Sequence, residues 1–149
     1  MDDARRRYRV GPLQRAVNAT VMALVRAGFG PPRMAVLTTR GRRSGAERSV
    51  PVTPLEREGR RYLVAPYGEV GWVHNARAAG GVSLRRGRDV RQWGVREVGA
   101  EEAGPILKQY VGGAPIVLPF FDADRGAPPA AFAAEADRHP VFELVERPV

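Results

Sequence analysis

Apolar positions change their spacing several times along the chain, and each change marks an expected element. Leu13, Val17, Val21, Leu24 and Val25 recur at intervals of three and four, which predicts an amphipathic helix over 12–27 with Pro12 in its first turn. Gly28, Gly30, Pro31 and Pro32 should stop it. A short apolar run then predicts a strand at 33–39, broken by Gly41-Arg42-Arg43-Ser44-Gly45. A second strand is expected at 49–56 and a third at 60–65, joined by the turn Arg57-Glu58-Gly59. Pro51 and Pro54 demote the second strand to an edge or bulged strand, which leaves room for a ligand beside it. Trp72, Val73, Asn75, Ala76 and Ala79 suit a helix over 70–79 that Gly80-Gly81 ends. Alternation returns at 82–86 and 90–98 around Gly87-Arg88-Asp89, a second hairpin.

A helix over 100–111 follows, with Ile106, Leu107, Tyr110 and Val111 on its apolar face. Residues 114–130 are apolar but rich in proline and read as an ordered loop or lid. A short helix at 129–137 and a strand at 140–145 close the order. Hairpin meanders with helices at the openings imply an α+β, mainly β, fold: a small antiparallel barrel of about six strands with peripheral helices. The expected organisation is one domain over 1–149, with an arm and helix over 1–32 and the barrel over 33–147.

Composition narrows the chemistry. With 149 residues, 44% of them hydrophobic, the chain can bury a real core. Its formal net charge of +8 favours anionic partners. Lys108 is the only lysine, and a sequence this rich in Arg, Ala, Gly and Pro fits a GC-rich genome, so the charge is discounted. The absence of cysteine excludes disulfides and thiolate chemistry, and two distant histidines, His74 and His139, argue against zinc. No apolar run reaches the roughly 18–20 residues of a membrane span, and no signal peptide is visible. The expected location is cytoplasmic. Peripheral contact with the inner membrane face through the basic N-terminal helix is weighed against plain packing on the core, which is favoured.

The 41–45 loop is the first candidate site. Its glycines allow positive φ and inward-turned amides, while Arg42, Arg43 and Arg48 supply guanidinium forks for phosphate or carboxylate. It matches neither a P-loop nor a dinucleotide fingerprint, and Ser44 has no nucleophile elbow or adjacent histidine. Asp122 and Asp124 lack the companions a hard cation needs. Chemistry by side chains alone is poorly provided for, which points to a bound cofactor.

Three stretches in order carry a family resemblance. Thr38-Thr39-Arg40-Gly41-Arg42-Arg43-Ser44-Gly45 with Arg48 and Pro51 resembles the T-x-G-R-[KR]-[ST]-G-x-x-R-x-x-P stretch of the deazaflavin-dependent nitroreductase family. Tyr67 to Asn75 with the segment from Ala79 to Val82, and His139-Pro140-Val141-Phe142-Glu143-Leu144, resemble its second and third elements. The resemblance implies a split β-barrel like the flavin-mononucleotide barrels. It also implies an oxidoreductase that uses the reduced deazaflavin coenzyme, factor 420, to pass hydride to an apolar acceptor such as a quinone, nitro compound or unsaturated lipid.

By the same resemblance Arg42, Arg43, Ser44 and Arg48 would hold the phosphate and glutamate tail, and Pro51, Ala65, Pro66, Tyr67 and Gly68 would line the ring. Trp72 would wall the ring, and Asn75 would position the 70s helix. The tyrosines of the family's C-terminal substrate region are replaced here by Pro119-Phe120-Phe121, so Tyr67 is the nearest candidate hydroxyl for proton donation. The apolar 115–121 segment, read as a lid, suggests a hydrophobic acceptor. A homodimer is left open. The alternatives are a basic barrel for nucleic acid or an anionic membrane surface, or the same barrel holding flavin mononucleotide or haem. Nucleic acid is not expected, because the aromatics are few and not interleaved with arginines.

Overall fold

Among the residues described by the computed structural model, 11–28 and 33–146, seven strands form one antiparallel sheet. They are β1 (Ala35–Arg40), β2 (Glu47–Val52), β3 (Leu55–Arg57), β4 (Arg60–Val64), β5 (Gly81–Arg86), β6 (Asp89–Glu97) and β7 (Val141–Glu146). Their order across the sheet is β2-β1-β5-β6-β7-β4-β3. The helices are α1 (Pro12–Arg26), α2 (Gly71–Ala79), α3 (Ala100–Gly113) and α4 (Pro129–Ala133), with 3-10 turns at Pro115–Phe120 and Ala136–Arg138. The Arg5–Arg7 run and the expected helix stop at Gly30, Pro31 and Pro32 lie outside the described residues.

The expected strand at 49–56 is two strands at opposite edges of the sheet. Val52 still faces Ala35 of β1, whereas Leu55 already faces Tyr62 of β4. Pro54 has no N–H to extend the first ladder, so the chain changes partner there. Three residue steps reach at most about 11 Å, so the two edges must lie close together and the sheet must curl into a barrel with an open seam. The strand count is therefore seven, not six. Pro51 sits on edge strand β2 opposite Val36, where a missing donor costs no second ladder.

The sheet encloses one core inside the barrel and leans a second on the α3 side. Leu37, Leu63, Val82, Trp93 and Leu144 meet Ala76 of α2 in the first. Arg61 stacks over the Trp93 ring at 5.5 Å, so Trp93 serves packing. In the second core Tyr62, Val64 and Val141 meet Ile106, Leu107 and Val111 of α3 together with Val117, Phe121 and Phe132. Val117 and Phe121 are thus core residues, and the 115–121 segment is bound down rather than poised as a lid.

Gly80 ends α2 with a φ of 71°, the left-handed geometry expected of it. The helix expected at 129–137 is divided into α4 and the 3-10 turn Ala136–Arg138, with Glu135 between them buried. Helices α3 and α4 approach so closely that a Cβ on Gly104 would lie 2.6 Å from the Pro129 carbonyl oxygen and 3.1 Å from the Ala133 Cβ. Both neighbours are fixed by backbone. Gly104→Ala should therefore destabilise the fold by about 1–3 kcal/mol despite the better helix propensity of alanine, measured as a lower urea midpoint at unchanged slope.

Candidate functional site

A cavity of about 980 Å³ opens beside the β2 edge. Its walls come from α1 (Gln14, Arg15, Asn18, Met22), the 41–48 hairpin (Arg42, Arg43, Ser44, Arg48), β2 (Val50, Pro51, Val52), β4 (Leu63, Val64), the 66–72 loop and Tyr110 of α3. Of the residues expected to bind a cofactor, Arg42, Arg43, Ser44, Arg48, Pro51, Pro66, Tyr67, Trp72 and Asn75 all line it. Ala65 and Gly68 do not. Ala65 is buried behind the wall with Val73 and Phe142, and its N–H donates to the Pro140 carbonyl at 2.8 Å. Gly68 takes a φ of 97° where a Cβ would meet the Arg138 carbonyl oxygen at 3.5 Å, so its role is to shape the loop.

The arginine loop works differently from the sequence expectation of an amide nest. Gly41 N–H donates to Ala46 O, Gly45 N–H to Gly41 O, and Ala46 N–H to Ser44 Oγ. Arg42 N–H is taken by Asn75 Oδ1 at 3.3 Å. With four amides committed inside the hairpin or to α2, the loop's positive character rests on its guanidiniums. Among the described residues the cavity is lined by Arg15, Arg42, Arg43 and Arg48 and by no carboxylate. A smaller recess of about 250 Å³ elsewhere contrasts with it, because its arginines share the walls with Glu56 and Asp89.

Asn75 is the hinge of the arrangement. It is buried, its Nδ2 donates to Thr39 Oγ1 at 3.2 Å, and its Oδ1 also accepts from Arg42 Nη1 at 3.2 Å. One side chain on α2 thereby fixes the end of β1 and the first arginine of the loop. Asn75→Ala should cost about 1–3 kcal/mol of stability by leaving buried polar groups unpaired, read by denaturant unfolding. His74 beside it on α2 is half-exposed and lines nothing in the cavity.

Pattern reading placed α1 within a residue of its bounds but missed its part in the cavity wall. Its apolar positions Leu13, Val17 and Leu24 are exposed, Leu13 at 79%, whereas Gln14, Arg15, Asn18 and Met22 face the cavity. The helix is docked at its C-terminal end, where Val25 is fully buried and its carbonyl accepts the Gly87 N–H at 3.0 Å. The expectation of plain core packing holds only for that end. Among the described residues no helix is long and apolar enough to cross a membrane. The signal available in the sequence was the polar group Gln14, Arg15 and Asn18 in a helix that carries no acidic residue; Gln14 and Asn18, one turn apart, are hydrogen-bonded at 2.9 Å.

Two phenols complete the site. Tyr67 is partly exposed and meets Phe120 edge-on with ring centroids 4.9 Å apart. Tyr110 is half-buried, and burial first, then the nearby Tyr67, pushes its pKa up from 10.0 to about 12. Between those values the folded protein keeps a proton that the unfolded chain has released, so Tyr110 makes stability fall as pH rises through this window. Spectrophotometric titration should show one tyrosine ionising near pH 12, and Tyr110→Phe should remove that step.

The family model for F420H(2)-dependent quinone reductase matches residues 7–115. The chain belongs to this family. A solved F420-H2 dependent reductase (FDR-A) is similar at 26% identity and a TM-score of 0.52, with 76% of this chain and 94% of that chain covered. A structure described as a domain-swapped dimer matches at 22% identity and a TM-score of 0.54, covering 89% and 96%. A NimC/NimA family protein from Clostridium acetobutylicum shares the fold at 13% identity and a TM-score of 0.51, covering 85% and 77%. No curated protein matches the sequence. The family membership makes the protein an F420-dependent oxidoreductase on a split-barrel fold, with reduced F420 as its cofactor, as the motif resemblance implied.

Proposed function

We propose that the cavity binds reduced F420 and serves hydride transfer to an apolar acceptor, a quinone first among those considered. The observation that carries this reading is the lining, which among the described residues has four guanidiniums, no carboxylate, and a largely apolar and aromatic remainder with a few neutral polar side chains. A multiply anionic tail needs fixed cations, and arginine forks suit phosphate and carboxylate geometry. The volume of about 980 Å³ lies at the upper end of small-molecule sites, as a large cofactor with a second ligand requires. The residues present therefore fit the coenzyme.

In this reading Arg15, Arg42, Arg43 and Arg48 hold the tail, with Asn75 aiming Arg42. Pro51, Pro66 and Trp72 border the ring, and Trp72 is itself braced on Phe142 with ring centroids 5.8 Å apart. Reduced F420 supplies the hydride when bound. The chain's own part is to orient donor and acceptor and keep water away from them. Met22, Met34, Val50, Val52, Leu63 and Val70 give the acceptor an apolar wall. This replaces the 115–121 segment as the support for a hydrophobic acceptor, since none of that segment lines the cavity.

A quinone that gains a hydride needs one proton to become a quinol. Tyr67 and Tyr110 both line the cavity; an ordinary phenol already keeps its proton at neutral pH, and burial, which raises the Tyr110 pKa to about 12, holds that proton more tightly still.

Arg42→Ala and Arg48→Ala should each weaken coenzyme binding by about 1.5–3 kcal/mol through lost charge-assisted contacts, read by fluorescence titration in moderate salt. Anaerobic mixing of the protein and reduced coenzyme with quinones, nitroaromatics and unsaturated lipids, in separate reactions, tests the acceptor. Coenzyme oxidation fastest with quinones is the expected result. Oxidation by none of them, with the coenzyme bound, would sink the assignment.

A further inference from the structure

Behind the cavity wall lies a buried acid–base pair that the proposed function does not use. Glu135 is 2% exposed and His139 is 3% exposed, and neither lines the cavity. His139 Nδ1 lies 2.9 Å from the carbonyl oxygen of Pro66, a wall residue, and its Nε2 lies 2.9 Å from Glu135 Oε1. The Phe121 ring stacks on the imidazole, with centroids 3.8 Å apart and planes 12° from parallel. The ring is thus fixed on its face and at both nitrogens.

Counting protons sharpens this contact. A carbonyl can only accept, and so can an ionised carboxylate. A neutral imidazole has one donor, so beside an ionised Glu135 one of its two contacts would set acceptor against acceptor. A proton must therefore lie between Nε2 and Oε1 as well as on Nδ1. Glu135 Oε1 and Oε2 also accept the Asp122 N–H at 3.0 and 3.1 Å, and Oε2 accepts the Ala123 N–H at 2.8 Å. These amides fix both carboxylate oxygens, so Glu135 is itself held in place against the ring. The remaining charges nearby are Arg138, whose Nη2 is 4.0 Å from Glu135 Oε1 while its Nη1 holds Asp122 at 2.7 Å, and Asp137 in the same turn.

The geometry points to His139, gripped by Glu135 at one ring nitrogen and bonded to the Pro66 carbonyl through the other, as a positioning residue that fixes the Pro66–Tyr67 wall of the cavity. The tether is matched on the neighbouring residues, where Ala65 N–H donates to Pro140 O and Gly68 N–H to Ala65 O. With the Pro66 carbonyl held, the peptide that follows it sets where the Tyr67 ring stands against Phe120. The structural part of this inference is independent of the ligand. Its consequence for turnover rests on the cavity being the F420 site.

The test begins on the whole, coenzyme-free protein with nitrogen-15 NMR of labelled histidine, His74 serving as the internal comparison. The expected result is a proton on Nδ1 of His139, given to the Pro66 carbonyl; an unprotonated Nδ1 would overturn the inference. In Glu135→Gln the Gly68 amide should exchange faster with solvent. Unchanged exchange in a folded variant also overturns it. These readings stand whether or not the cavity binds F420, so their failure is distinguishable from failure of the coenzyme assignment. In turnover, Glu135→Gln should lower kcat on the order of ten- to a hundredfold by misplacing the wall, with coenzyme affinity kept because the arginines are untouched. Loss of affinity with kcat unchanged would refute the positioning role.

Discussion

Two residues, Thr53 and Pro54, carry the chain from one edge of the seven-stranded sheet to the other. So short a link cannot span a flat sheet of that width, and it forces the sheet to curl until β2 and β3 are neighbours in space. The seam then falls beside β2, an edge strand whose outer side has no strand partner. Every wall of the cavity follows from that placement. Strand β2 gives one side, the 66–72 loop another, and α1, docked at Val25, crosses above.

Charge is distributed by the same architecture. Away from the cavity several arginines are matched to acids: Arg77 to Glu69 and Glu97, Arg96 to Glu102 and Glu143, and Arg138 to Asp122. These exposed pairs add little to stability individually, but they spend charge locally. In the cavity no carboxylate does so. The surplus that composition suggested discounting therefore acquires a location, and location is what distinguishes a binding site from a basic surface.

The wall and the core are also joined. Phe121 serves the α3 core on one side and stacks on His139 on the other, while His139 reaches the Pro66 carbonyl. A segment that reads in sequence as an ordered loop or lid thus becomes part of the support for the 66–72 loop. Asn75 does for Arg42 what His139 does for Pro66: each is a buried polar side chain that bonds a cavity residue and is anchored elsewhere, Asn75 on Thr39 and His139 on Glu135.

The sequence by itself determined the local elements, since helix and strand periods, Gly80 as a left-handed cap, and Pro51 in an edge strand are properties of neighbouring residues. It also identified nine of the residues that meet in the cavity, because their order and spacing form a motif. Only the tertiary structure decided that 49–56 is two strands, because which partner a strand pairs with is a non-local matter. It alone turned the polar side of α1 inward, against the usual sense of an amphipathic helix, because an arginine-lined cavity replaces the apolar core beneath it. Tyr110, Arg15 and the Glu135–His139 pair likewise gained their places from contacts across long stretches of chain, which no local pattern encodes.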